Sequence, residues 1–467
     1  LRKELLFLLT TSSLFATQIS FEEALSKTLT NNKELKAKKL DIETSKVNLR
    51  NAKGYELGNL TFNENIAKSN NAMNVFGMKL GAREATFGDF GFSDFLTPLG
   101  GAITAAAGGT APGDMSSLLK TTPNDLNHPE ARTNFETKLT YELPIFTGYK
   151  LQSAKEMSAL QVKANEAKYN FDEKQLQLEV LKAYNGAVAA KYFITAISKV
   201  KEATTSFVYL ATEMFKEGYT TNIDIQQAEV YDMKINTMML DSKNQYGLAL
   251  AYLKFLTNDT QIDGVDEFKT INSNKADLKT LQELALTNRD DLKWMEQNTK
   301  TMATKIEFEK SGNYPMIGSH FEYGFNDNHL NNLSSSKDYY TMAIGLEYKI
   351  FDGYTTSSNI EKAKIDYAKT QHYLDYMKDG LKLGVEKIYL TSKTKASVLE
   401  EKLKAQTLAN DILEKSKEMY KNQLMSMNDL LLQSANQQKA ITDLIMAKYE
   451  LTLALAELQL SIGNDLK

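Results

Sequence analysis

The sequence predicts a membrane α+β protein in which pairs of membrane-length β-strands alternate with very long α-helical hairpins. Three observations predict it. The chain repeats itself at a fixed offset. Each copy carries two segments of about ten residues in which apolar and polar side chains alternate. Each copy also carries a proline-free stretch of roughly sixty residues with coiled-coil spacing, then a short turn and a return stretch.

Taken in order, the chain opens with Arg2 and Lys3, an apolar run from Leu5 to Leu9, small polar residues and Ala16. A basic end, a short apolar stretch and a small residue form the pattern of a secretory signal peptide, expected over residues 1–16. The apolar stretch is too short to span a bilayer as a helix. The first structural repeat is expected over 17–257, a linker over 258–275 and the second repeat over 276–467.

The repeat is carried by two strand-to-helix junctions, LTYELPIFTGY from Leu139 and IGLEYKIFDGY from Ile344. They align without a gap, Phe146 on Phe351, an offset of 351 − 146 = 205. The same offset sets Val180 on Val385, Tyr184 on Tyr389 and Asp224 on Asp429. Upstream, Thr30, Asn31, Leu35 and Lys36 match Thr287, Asn288, Leu292 and Lys293 at an offset of 292 − 35 = 257. The first copy therefore holds an insertion of 257 − 205 = 52 residues, placed in the Gly/Ala/Thr-rich stretch between Lys68 and Arg132.

Opening helices are expected near Ser20 to Lys53 and Ala276 to Lys310. The strands follow. Phe135, Thr137, Leu139, Tyr141 and Leu143 share one face, with Glu136, Lys138, Thr140 and Glu142 on the other. Tyr340, Met342, Ile344, Leu346 and Tyr348 form the equivalent apolar face of the second copy. Leu60, Phe62 and Ile66, and Ile317, Phe321, Tyr323 and Phe325, mark the preceding strands. About ten residues is the length a tilted strand needs to cross a bilayer. The long helices are expected from Gly148 to Phe215 and from Gly353 to Tyr420; at 1.5 Å per residue each is a rod of roughly 100 Å, too long for an ordinary globular domain. Leu176, Val180, Ala183, Ala187 and Ala190 form a seam with small residues that lets neighbouring helices approach.

Composition excludes several classes. With no cysteine there is no disulfide framework, thiolate metal site or cysteine nucleophile. The four histidines, 128, 320, 329 and 372, lack ligand spacing, so no metal site is expected. A net charge of −4 with mixed signs argues against nucleic acid as a partner. No phosphate loop or nucleophile elbow is present, so neither catalytic residues nor a cofactor are expected. No run of 18 apolar residues exists that would make a transmembrane helix.

Four membrane-length strands cannot stand alone in lipid, because each edge would leave N–H and C=O groups unpaired. Closure must come from other chains: two copies would give eight strands, three would give twelve. Strand pairs are hairpins, so the helices all leave on one side. Barrels place their long loops outside the cell, which puts the helices in the periplasm.

The chain resembles the TolC family of outer-membrane efflux and secretion channels. The resemblance lies in the duplicated junctions LPIFTGY and KIFDGY and the duplicated hairpin tips, FKEGYTTNIDIQQAE from Phe215 and YKNQLMSMNDLLLQSAN from Tyr420. The segments FGMKLGAREATFGDF and LNHPEARTNF also resemble the family's first outer loop. The resemblance implies a homotrimer, with a twelve-stranded β-barrel, four strands per chain, continuous with a long periplasmic α-helical barrel of coiled-coil hairpins. It implies a passive exit duct in outer-membrane lipid of a Gram-negative bacterium. That duct would serve a tripartite efflux pump or type I secretion system by docking on a periplasmic adaptor and an inner-membrane pump. The alternative is a periplasmic coiled-coil adaptor or scaffold, which leaves the four strands unexplained.

The resemblance also assigns roles. Asp224 and Tyr420 match a latch between neighbouring hairpins, and Asp429 matches a ring around the narrowest part of the lumen. Met425 and Leu432 stand where relatives often carry an Arg and a second acid, so they belong to the same periplasmic gate. Gly218, Tyr219, Gln423 and Leu424 are the adaptor-facing tip residues, Gln423 replacing the usual Gly. Pro144, Gly148 and Gly353 make the strand-to-helix switch. For Asp224 and Asp429 a plain N-cap role stays open, and for Tyr420 plain hairpin packing. The five phenylalanines of the insertion, 76, 87, 90, 92 and 95, either cap the outer mouth or pack on the barrel rim.

Overall fold

The computed structural model describes residues 17–111, 115–273, 276–330 and 332–466. The signal-peptide expectation at 1–16 lies outside the described residues. The described chain divides into two compact units. One takes in residues up to Lys46, Ala159–Thr301 and the residues from Asp366 onward; the other takes in Val47–Ser158 and Met302–Ile365.

The elements run β1 (Thr17–Ile19), α1 (Phe21–Asn31), α2 (Lys33–Gly54) and β2 (Asn59–Ser69). The insertion follows as α3 (Ala72–Gly81), α4 (Phe92–Ala107), α5 (Met115–Leu118) and α6 (Asn124–Asn127). Then come β3 (Arg132–Phe146), α7 (Lys150–Lys216), α8 (Asn222–Thr257) and β4 (Ile262–Val265). The second copy is α9 (Leu278–Asn288), α10 (Asp290–Lys310), β5 (Met316–Asp327), β6 (Asp338–Glu347), α11 (Thr355–Lys421) and α12 (Met427–Ser461).

The helical unit holds its core where the opening helices meet the long hairpins. Phe21, Tyr184, Leu181, Leu253, Ile262 and Val265 are buried together, with the Phe21 ring edge-on to Tyr184 at 5.8 Å. Leu281, Ala285, Val385, Leu458 and Ile462 form the second copy's counterpart. The duplication is therefore one of core as well as of sequence. Ala24 and Leu281, Leu35 and Leu292, Val180 and Val385, and Leu253 and Leu458 are matched pairs, all buried. Both opening helices break at the same place, Asn32 and Arg289, an offset of 289 − 32 = 257. Asn32 turns its amide to the Leu256 carbonyl at 3.2 Å and accepts the Leu35 N–H at 3.0 Å, so the break is held from outside the helix. The stretch expected as a linker carries β4, which pairs in parallel with β1.

In the other unit β2, β3, β5 and β6 form one antiparallel sheet in that order. Asn59 faces Glu142, and Met316 faces Glu347. Those are the same pairing moved by 316 − 59 = 257 and 347 − 142 = 205, so both strand hairpins share one register. At the end of β3 the register shifts between Pro144 and Phe146. Pro144 has no N–H to give the ladder, which suits a bulge.

Candidate channel wall and hairpin tips

Register places the sheet's side chains in rows. Leu60, Tyr141, Phe321 and Met342 lie across the four strands, and Phe62, Leu139, Tyr323 and Tyr340 form the next apolar row. These side chains face out: Phe62, Tyr340, Met342 and Ile344 are 64%, 75%, 72% and 71% exposed. An apolar patch this large marks contact with lipid or protein. The other face is polar. Lys138 lies 3.4 Å from Glu136 and 3.3 Å from Glu322. Glu136 accepts from Asn65 at 3.0 Å and from the Tyr339 hydroxyl at 3.2 Å. His320 lies 3.6 Å from Glu142. Gly324 makes room for this cluster, since a Cβ there would sit 2.9 Å from both Lys138 and Tyr339. The strands are thus apolar on one side and charged on the other, the pattern of a channel wall.

The strand-to-helix switch is built alike in both copies. Gly148 (φ +63°) and Tyr149 (φ +68°) are both left-handed, as are Gly353 and Tyr354, both at +67°. Glycine takes that conformation without penalty and tyrosine does not. Each tyrosine is held by an edge-on ring: Phe146 at 5.4 Å for Tyr149, and Phe351 at 5.7 Å for Tyr354. Thr147 accepts the Leu151 N–H at 3.3 Å, and Asp352, its counterpart, accepts the Thr356 N–H at 2.8 Å. Those Thr356 bonds, from its hydroxyl and its N–H, hold the Asp352 carboxyl below its ordinary value.

At the tips, Gly218 is left-handed at φ +76° and Gln423, its counterpart, at +60°. Gln423 therefore makes the glycine turn without being glycine, at a cost of about 1 kcal/mol. Tyr219 and Leu424 are 61% and 71% exposed. Neither aspartate is an N-cap. Thr221 and Ser426 are the caps, and Asp224 and Asp429 stand in the first turn, where a negative charge suits the helix dipole. Ser426 Oγ accepts the Asp429 N–H at 3.2 Å and donates to its carboxylate at 2.7 Å. The Thr220 hydroxyl donates to Asp224.

Tyr420 is buried with Phe207, Leu413, Met427 and Leu430, while Met425 packs at the edge of this cluster. Its hydroxyl is buried without a geometrically formed hydrogen bond. Burial, and then the nearby Asp224 charge, raise the phenol above its ordinary value. The structure so brings Tyr420 and Asp224 within electrostatic reach. It leaves Asp429 exposed on its own turn and Leu432 exposed beside a groove of about 500 Å³ lined by Ile223, Val230, Tyr231 and Leu431.

A family model described as outer membrane efflux protein matches residues 281–464. Over that segment, which lies within the second repeat, the chain is similar to the outer membrane efflux protein family.

Solved structures agree in fold. The Campylobacter jejuni CmeC outer membrane channel is 15% identical, with 95% of this chain and 85% of that one covered and a TM-score of 0.75. The outer membrane protein VceC from Vibrio cholerae is 13% identical, with 96% and 97% covered and a TM-score of 0.75. The open state of the Neisseria gonorrhoeae MtrE outer membrane channel is 14% identical, with 96% and 89% covered and a TM-score of 0.71. No curated protein sequence matches the chain. These likenesses, at 13–15% identity, show that the chain has the fold of solved outer membrane channels. No described helix is long and apolar enough to cross a membrane.

Sequence reasoning missed two polar sets. Lys201 pairs with Asp232, which also accepts from Thr204 at 2.8 Å. Burial works against the Asp232 carboxylate, but the bonds from Lys201 and Thr204 outweigh it and lower its pKa. In the second hairpin Lys395 meets Glu450 at 2.6 Å and Lys402 meets Asp443 at 2.7 Å. Both pairs are centred close to Gln423, with their lysines seven residues apart. That symmetry about the turn was a readable signal.

Proposed function

We propose that three copies of this chain close into one exit duct, docked through its hairpin tips on a periplasmic adaptor that leads to an inner-membrane pump. The observation that carries this reading is the sheet: apolar outside, charged inside and open at both edges, β2 and β6. Unpaired edges are untenable in lipid. The duplication supplies the partner. Within the chain β3 pairs with β5, the second strand of one copy with the first of the next. Moving that pairing by the two repeat offsets sets β6 against β2 of a neighbouring chain, with Ile344 opposite Ile66 and Ala343 opposite Ala67. Sidedness is kept, apolar against apolar. Twelve strands and six helical hairpins result, and the channel itself supplies no energy.

At the tips, Asp224 and Tyr420 form the latch, Asp429 with Met425 and Leu432 the constriction, and Gly218, Tyr219, Gln423 and Leu424 the adaptor contact. A phenol-to-carboxylate bond is worth roughly 1.5–3 kcal/mol, enough to hold a gate and still yield to a docking partner. Imaging and mass measurement of the detergent-extracted protein test the reading. A threefold tube of three chains supports it; a monomeric particle sinks it.

A further inference from the structure

The insertion between β2 and β3 has a role of its own. Its base is clamped to the sheet. Glu84 accepts from Arg132 at 2.6 Å and pairs with Lys337, which also donates to the Ala82 carbonyl at 2.9 Å. Lys79 pairs with Asp89, and the Asn124 N–H donates to Asp94 at 2.8 Å. The clamp lies on the polar side. Gly81 packs against Asn326, a Cβ there falling 3.4 Å from its amide nitrogen. Asn326 accepts from Asn134 at 3.2 Å, and Asn134 is buried although it belongs to the polar face. The insertion thus folds over the conduit side of the strand ends, and not over the lipid side.

From that base α4 projects with no buried residue. Its one charged side chain, Asp94, is already engaged at its first turn. Leu96 and Ile103 are 54% and 60% exposed. Apart from Asp94 its only polar side chains are Ser93, Thr97 and Thr104, and a helix with so much apolar surface is normally covered. Gly100 and Gly101 weaken it from within, yet a Cβ at either would meet nothing within 4 Å. Paired glycines with empty space beside them suit the close approach of another helix backbone. An anionic lipid surface is a poor occupant, because no Lys or Arg stands between Arg83 and Lys120. In the proposed three-chain assembly β2, at whose end the insertion begins, is the strand that meets the neighbour, so α4 of one copy lies towards α4 of the next.

We propose that α4 packs against α4 of the neighbouring copies across the outer mouth of the conduit, forming a cap that narrows it. This rests on the three-chain reading above. The chain has no cysteine, so single cysteines report contact cleanly. Gly101→Cys and Ala105→Cys are oxidised in outer-membrane vesicles, with His329→Cys on the short β5–β6 connection reading random collision. The α4 variants should give disulfide-linked dimers and the His329 variant should not. Ala105→Lys should raise single-channel conductance about twofold or more. A three-chain mass without the α4 cross-link overturns the cap and leaves the channel reading intact. Cysteines shielded from a water-soluble maleimide in vesicles but not cross-linked would mean that lipid covers α4, which also overturns it. A monomeric mass overturns both readings.

Discussion

Gly148 and Gly353 are the same residue of the two repeats, with nearly the same backbone and different surroundings. A Cβ at Gly148 would lie 2.6 Å from the Ser311 carbonyl oxygen and 2.8 Å from Tyr314 Cβ; at Gly353 it would meet nothing within 4 Å. The difference teaches where the assembly is unfinished. Residues 311–314 end the second copy's opening helix, and at the 257-residue offset they correspond to 54–57 of the first. The first junction is covered by its own chain. In the proposed three-chain assembly, residues 54–57 of a neighbour would cover the second.

Alanine at the two positions gives the largest expected effect. Gly148→Ala combines left-handed strain with a clash, a loss of about 3 kcal/mol. If the neighbour covers Gly353, Gly353→Ala costs the same in the assembled protein; if nothing does, only about 1 kcal/mol of strain remains. Heat resistance of the extracted assembly separates the two. A much milder Gly353→Ala would break the proposed equivalence.

The tips sharpen the comparison next. Asp224→Ala should leave channels that leak, with longer open times in single-channel recordings, and Asp429→Ala should lower cation preference; unchanged open times and selectivity would remove both residues from the gate. The two tips differ at this position, since the buried Tyr420 stands where the first copy has the exposed Phe215. The Tyr420 pKa is raised in the folded protein, by burial first and then by Asp224. Its contribution is therefore complete below the ordinary tyrosine value near 10 and is lost as pH rises through the folded value. Channel leak should rise on that alkaline side, and Tyr420→Phe should abolish the alkaline step. An alkaline step that survives the substitution would locate it elsewhere.

The smallest effect concerns the turns. Gln423→Gly relieves a left-handed glutamine and should stabilise the second hairpin by about 1 kcal/mol, read as a rise in melting temperature. No gain would mean that the glutamine side chain returns in contacts what its backbone costs.

Most of this architecture was legible because it is written twice. Two offsets placed the strands, junctions, long helices and tips, and period-2 alternation gave both faces of the sheet. What stayed hidden depends on distant residues. The break at Asn32 is fixed by the Leu256 carbonyl, 224 positions away, and no strong local breaker announces it. Strands β1 and β4, of three and four residues, are too short to show a period. Helices α3 and α4 lay in a glycine-rich stretch whose composition argues against helix. The proposed gate residues were legible as residue types only. That Tyr420 is buried beside Asp224, while Asp429 is tied to Ser426, depends on how two turns pack.

The central pair of the sheet, β3 with β5, has a consequence for how the protein is made. Phe135 pairs with Asp327, 327 − 135 = 192 residues further along the chain. The whole of the first long hairpin must be synthesised before that ladder can begin. Contacts so remote in sequence form slowly, because the closure entropy of the intervening chain comes first. Through that delay the exposed apolar rows stand open to water and to other chains. The same long-range pairing that joins the two repeats into one sheet therefore sets a kinetic demand: the strands must avoid pairing with other chains until their own partners are made.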